Sequence, residues 1–111
     1  VYCPANGKAK LLEADGVPIG VLQDCLVGTH TLTLNKGDVL LIATDGFPER
    51  QNEAGDMFGY DRLLALMEWG AKLNKVDAAQ QIQQTIFNAV AQFGGATPQD
   101  DDQTLIVLKG V

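Results

Sequence analysis

Gly37-Asp38-Val39-Leu40-Leu41-Ile42-Ala43-Thr44-Asp45-Gly46-Phe47-Pro48-Glu49-Arg50 is the stretch from which the fold is read. Its five consecutive apolar residues, Val39 to Ala43, are too few for an ordinary helix. They are bounded by Asn35-Lys36-Gly37-Asp38 before and Asp45-Gly46 after, both turn chemistry. The run therefore predicts a buried central strand that delivers Asp45 to its exit. A carboxylate at the end of a rigid strand, beside a glycine that lets another group approach, suits a hard cation. Asp-Gly after a strand is also an ordinary turn. Asp45 gains meaning only from a second acidic element downstream.

That element is Asp100-Asp101-Asp102-Gln103, reached through the loop Ala96-Thr97-Pro98-Gln99 and followed by Thr104-Leu105-Ile106-Val107-Leu108, which reads as a second buried strand. Adjacent carboxylates repel one another when packed, at little cost when solvated. If the second strand pairs with Val39–Ala43, the acidic trio faces Asp45, and oxygen ligands of this kind suit Mg²⁺ or Mn²⁺. The trio lacks the D-x-[DN]-x-[DN]-G spacing of a calcium loop, which excludes that motif.

Upstream, Val1–Cys3 and Lys8–Glu13 read as two short strands about the turn Pro4-Ala5-Asn6-Gly7, where Asn-Gly is a hairpin signal. A chain that opens in mid-strand points to a piece of the domain lying before it. Val17–Leu22 reads as an irregular connection or short edge strand because of Pro18. Leu26–Leu34 ends in clean alternation, Leu32 and Leu34 against Thr31 and Thr33, as in a half-buried antiparallel strand. His30 shares the face of Leu32 and reads as a packed or edge histidine.

Downstream, Phe47–Gly59 reads as a polar loop that lines a site or is plain surface. Tyr60–Trp69 predicts a helix with Leu63, Leu66, Met67 and Gly70 on one stripe, widened by Tyr60, Leu64 and Ala71. Asp77-Ala78-Ala79-Gln80 reads as an N-cap with a capping-box glutamine. The following helix presents Ile82, Ile86, Ala89, Val90 and Phe93 to a core and stops at Gly94-Gly95. Strands, then a helix pair, then a last strand argue for an α+β fold.

With 111 residues the chain suits one domain over residues 1–111, able to bury roughly two thirds of its unfolded surface. Its net charge of −6 disfavours nucleic acid and anionic membrane as partners. An anionic substrate such as a phosphate ester then needs a cation, and only eight Lys and Arg are present. A metal ion is the natural candidate. The two cysteines, Cys3 and Cys25, form no CxxC pair, and with a single histidine zinc is a poor fit. No apolar run approaches the ~20 residues of a membrane span and no signal pattern opens the chain, so a cytoplasmic location is expected.

The segment Gly37–Glu49 resembles the central motif of metal-dependent Ser/Thr protein phosphatases of the PPM type, and is most similar to the bacterial SpoIIE/RsbU group. Phe58-Gly59-Tyr60-Asp61-Arg62-Leu63 is similar to that group's F-G-x-x-R-L, Asp101-Asp102-Gln103-Thr104 to its closing D-D-x-T, and Gly16–Val21 to its upstream G-x-P-L-G. The resemblance implies an antiparallel β-sandwich flanked by α-helices. It implies hydrolysis of phosphoserine or phosphothreonine by a water bridging two Mn²⁺ or Mg²⁺ ions, on a phosphoprotein such as an anti-sigma-factor antagonist. By position the resemblance implies that Asp45 and Asp101 are metal ligands, with Gly46, Asp102 and Thr104 in supporting roles and Glu49 either supporting or plain surface.

The family's first-half metal-binding Asp-Gly has no counterpart here, and neither has the G-H element expected just before Val1. The chain thus resembles the C-terminal half of the domain, and the fold is expected to be incomplete. An isolated chain of this kind is expected to bind metal weakly, to turn over poorly or not at all, and to self-associate through open sheet edges. An upstream sensor or receiver domain is compatible with the family. Two other readings stand beside the enzyme: a catalytically inactive phosphatase-like module that binds a regulatory partner, and a purely structural acidic domain.

Overall fold

An apolar run between two turns satisfies its backbone by pairing, and Val39–Ala43 does so along its whole length on one edge and as far as Leu41 on the other. In the structure, a computed structural model that describes residues 1–13 and 31–111, this strand, β2, is the centre of a three-stranded antiparallel sheet. Its neighbours are β1 (Tyr2–Cys3) and β3 (Leu105–Lys109). Gly37, at φ +87°, makes the turn into β2. The last strand lies one residue later than the sequence predicts. Lys109 closes it opposite Val39, where its ammonium donates to the carbonyls of Gly37 (3.0 Å) and Ala71 (3.1 Å). A charged residue thereby finds partners at a strand end.

Two helices, α1 (Gly59–Ala71) and α2 (Ala78–Gly94), pack on one face of the sheet. Val39 and Leu41 are buried beneath them, with Leu105 and Val107 packed against the same core. Leu63, Met67, Gly70 and Ala71 are the buried stripe of α1, and Ile82, Ile86 and Val90 that of α2. The helices approach closely at Gly70, where a Cβ would lie 2.5 Å from Cγ1 of Ile82. Tyr60, expected to widen the stripe, is instead exposed at the first turn. The capping box is also absent. The Asp77 carboxylate accepts from Nε2 of Gln81, one residue beyond the expected glutamine, and makes no bond to the helix backbone.

Antiparallel alternation leaves the other sheet face to Ile42, Ile106 and Leu108, each about half exposed. The fold is α+β, as expected, and the described residues hold one sheet of the sandwich. The early hairpin survives as the turn Pro4–Gly7 and a bridge between Tyr2 and Lys10, while β1 takes its ladder from β2. Thr31–Leu34 forms no strand, there being no partner strand for it among the described residues; Leu26–His30, Gly16–Val21 and Cys25 lie outside them. Cys3 is a free thiol, fully buried, and burial pushes its pKa up. No helix among the described residues is long and apolar enough to cross a membrane.

The turn before β2 carries a carboxylate, Asp38, to which the sequence alone gives no role beyond the turn. Asp38 is buried at 4% exposure and accepts bonds from the backbone N–H of Asn35 (2.9 Å) and Ala5 (3.0 Å) and from the Tyr2 hydroxyl (2.9 Å). It joins the first hairpin to the central strand. The Asn35 N–H, followed by the Ala5 N–H and the Tyr2 hydroxyl, holds its pKa below the usual carboxylate range against the opposing effect of burial. The stability this adds is fully present above the unfolded value of ~3.9 and is lost as pH falls through the lower folded value. Asp38→Asn is expected to lower the urea midpoint at pH 7 and to flatten its fall between about pH 5 and pH 2. Equal acid slopes in the two proteins contradict this.

Candidate metal centre

In an antiparallel pair the exit of one strand and the entrance of its partner lie at the same end. Ala43 pairs with Leu105, so the turn carrying Asp45 and the segment carrying Asp101 emerge side by side. The main-chain N–H of Thr44 continues the ladder to the carbonyl of Thr104 (3.0 Å). The Thr44 hydroxyl then donates to the carbonyl of Asp102 (3.1 Å) and accepts from the N–H of Thr104 (3.1 Å). Nε2 of Gln103 donates to the carbonyl of Gly46 (3.1 Å). Gly46 is buried beneath this segment, and a Cβ there would run into the carbonyl of Asp102. The glycine is required by close approach.

Beyond the strand, the N–H of Glu49 donates to the carbonyl of Asp45 (3.0 Å), closing a helical turn. Phe47, at the middle of that turn, is fully buried and meets Phe87 edge-on at 5.1 Å. Phe47 and the nearly buried Phe58 therefore correct the expectation of a polar loop: its two ends are core, and only its middle is surface. The core anchors the turn while Asp45 itself stays exposed.

Asp101 is exposed as well. Its Oδ1 accepts from the N–H of Asp102 and its carbonyl from Nε2 of Gln99, both at 2.8 Å. Gly46, Glu49, Arg50, Asp100 and Asp101 share a cleft of about 190 Å³. Asp45 lies on the adjoining turn, outside that lining. Asp102 and Thr104 join the arrangement through their main chains. Thr44, Gln103 and Arg50 were not singled out from sequence. Thr44 carries a readable signal, a hydroxyl at the strand exit next to Asp45, whereas partners of Gln103 and Arg50 come from distant segments.

Carboxylates are hard donors, and Mg²⁺ in proteins keeps several waters and is held by one or two of them. Asp45 and Asp101 fit such an ion in kind. Among the described residues no three Asp, Glu, His or Cys side chains converge, so the pair is short of a closed ligand set.

The family model for stage II sporulation protein E (SpoIIE) matches residues 1–110. Among solved structures the chain is similar to the SiaA-PP2C domain of Pseudomonas aeruginosa, at 24% identity and a TM-score of 0.61. The match covers 70% of this chain and 31% of that one, so the chain spans about a third of the other's length. At that identity the likeness shows the fold alone. No curated protein matches the sequence.

Gly46→Ala is expected to destabilise the chain by about 1–3 kcal/mol, because the added methyl meets main chain that cannot move cheaply. Urea unfolding measures this; an unchanged midpoint would mean that Asp102 does not approach so closely.

Proposed function

The chain belongs to the SpoIIE family, and from that premise we propose that it supplies part of a metal-dependent phosphatase site. The substrate is phosphoserine or phosphothreonine on a bacterial signalling protein, such as an anti-sigma-factor antagonist. The observation that carries this reading is the junction of Thr44 with Asp102 and Thr104, which sets two exposed carboxylate segments at one sheet end. Asp45 and Asp101 are the residues that would hold Mn²⁺ or Mg²⁺. Bound there, such an ion supplies a water of lowered pKa and neutralises charge on the phosphoryl oxygens.

The chain's own residues do the positioning. Thr44 and Gly46 fix the acidic segment against the turn, and Glu49 gives the cleft a further carboxylate beside Asp101. The complete two-metal site, any upstream sensor or receiver domain and a cytoplasmic setting are parts of the proposal that concern the longer protein. For this chain alone it implies weak metal binding and poor turnover. Self-association through the apolar face of Ile42, Ile106 and Leu108 belongs to the same reading.

A second reading, a phosphatase-like module without catalysis that engages a regulatory partner, is favoured by the lack of a third converging carboxylate among the described residues. A calorimetric Mn²⁺ titration of the parent, Asp45→Asn and Asp101→Asn decides between them. Weak binding that falls about tenfold or more in both variants is expected of a shared site. Binding indifferent to both substitutions, or none in the parent, favours the second reading.

A further inference from the structure

Arg50 closes the turn that begins at Asp45, and its own backbone is fixed at both ends. Its N–H donates to the carbonyl of Phe47 (3.3 Å) and its carbonyl accepts from Phe58 (2.8 Å). From this base the guanidinium reaches the loop before the acidic trio. Nη1 donates to the carbonyl of Pro98 (2.6 Å) and Nη2 to that of Thr97 (2.5 Å). Two successive carbonyls are gripped by one planar fork, a geometry that a lysine ammonium cannot reproduce. The fork lies against Gly94, where a Cβ would collide with it.

The acidic segment is thus tied on both sides to the stretch that carries Asp45. Thr44 grips it after Asp101, at Asp102 and Thr104. Arg50 grips it before Asp100, at Thr97 and Pro98. Thr44 and Arg50 flank Asp45, so both ties refer the acidic segment to a single turn. Asp100 and Asp101 share the cleft that Arg50 lines.

We propose that Arg50 is a positioning residue that sets where Asp100 and Asp101 stand relative to Asp45, with its charge spent on two loop carbonyls and not on substrate. The consequence for metal affinity rests on the metal-dependent reading above; the holding of the loop does not.

The test compares the parent with Arg50→Lys and Gly94→Ala. The second variant keeps the arginine but inserts a methyl into the space its guanidinium occupies, at a helical backbone that tolerates alanine. Amide hydrogen exchange is followed on each metal-free chain, and Mn²⁺ is titrated by calorimetry. Both variants are expected to speed exchange at residues 99–104 while α1 and α2 keep their protection. Both are also expected to weaken Mn²⁺ about tenfold, the scale on which residues orienting metal ligands act. Unchanged exchange at residues 99–104 in both variants overturns the proposal. So does a uniform loss of protection over the helices with Mn²⁺ affinity kept, since Arg50 would then only stabilise the fold. If the parent binds no Mn²⁺, the metal reading falls, and the exchange comparison alone decides the role of Arg50.

Discussion

The ladder between β2 and β3 runs from Val39 opposite Lys109 to Ala43 opposite Leu105, and Thr44 carries it one step further to Thr104. Everything at the acidic end of the sheet depends on that register. A slip of one residue would turn Val39 and Leu41 out of the core, because side chains alternate between the two faces. It would also shift the Asp101 segment about 3.4 Å along the Asp45 turn. The Thr44 hydroxyl would then lose both partners, and the carbonyl of Asp102 would no longer lie over Gly46. The apolar face under α1 and α2 therefore specifies a polar arrangement to which it contributes no atom.

Charge is distributed in keeping with its cost. The one buried carboxylate among the described residues, Asp38, is surrounded by three donors, as burial of a charge demands. The carboxylates at the opposite end of β2 are left in water, where mutual repulsion is slight and oxygen atoms remain open to a cation. For a chain of net charge −6, such a cation would also offset repulsion of the anionic phosphate ester that the proposed function calls for. The same sheet that is closed by helices on one face leaves Ile42, Ile106 and Leu108 uncovered among the described residues on the other.

Elements whose signal is local were legible in the sequence. The Val39–Ala43 run, the stripes of α1 and α2 and the stop at Gly94-Gly95 depend on spacing within one element, and, Tyr60 apart, they stand where the spacing put them. That the exit of β2 neighbours the entrance of β3 followed from assuming that two apolar strands pair antiparallel. What stayed hidden rests on partners distant in the chain. Asp38 looks like a turn residue until Ala5 and Tyr2 are folded onto it. Arg50 looks like surface until Thr97 and Pro98 arrive. Phe47 reads as the start of a polar loop because most of the residues after it are polar, although its ring belongs to the core. Thr31–Leu34 alternates as a strand does, yet alternation supplies no partner, and the described residues offer it none.

One cation site at the end of the β2–β3 ladder, shared by Asp45 and Asp101, is what the proposed function requires. Substoichiometric Mn²⁺, added while amide signals are followed by NMR, tests it most directly, because the paramagnetic ion broadens only what lies near it. Signals of Asp45–Gly46 and of Asp100–Asp102 are expected to broaden together and in proportion, while those around Val76, in the connection between the helices, stay sharp. Broadening of one segment without the other, or uniform broadening over the acidic surface, would contradict it.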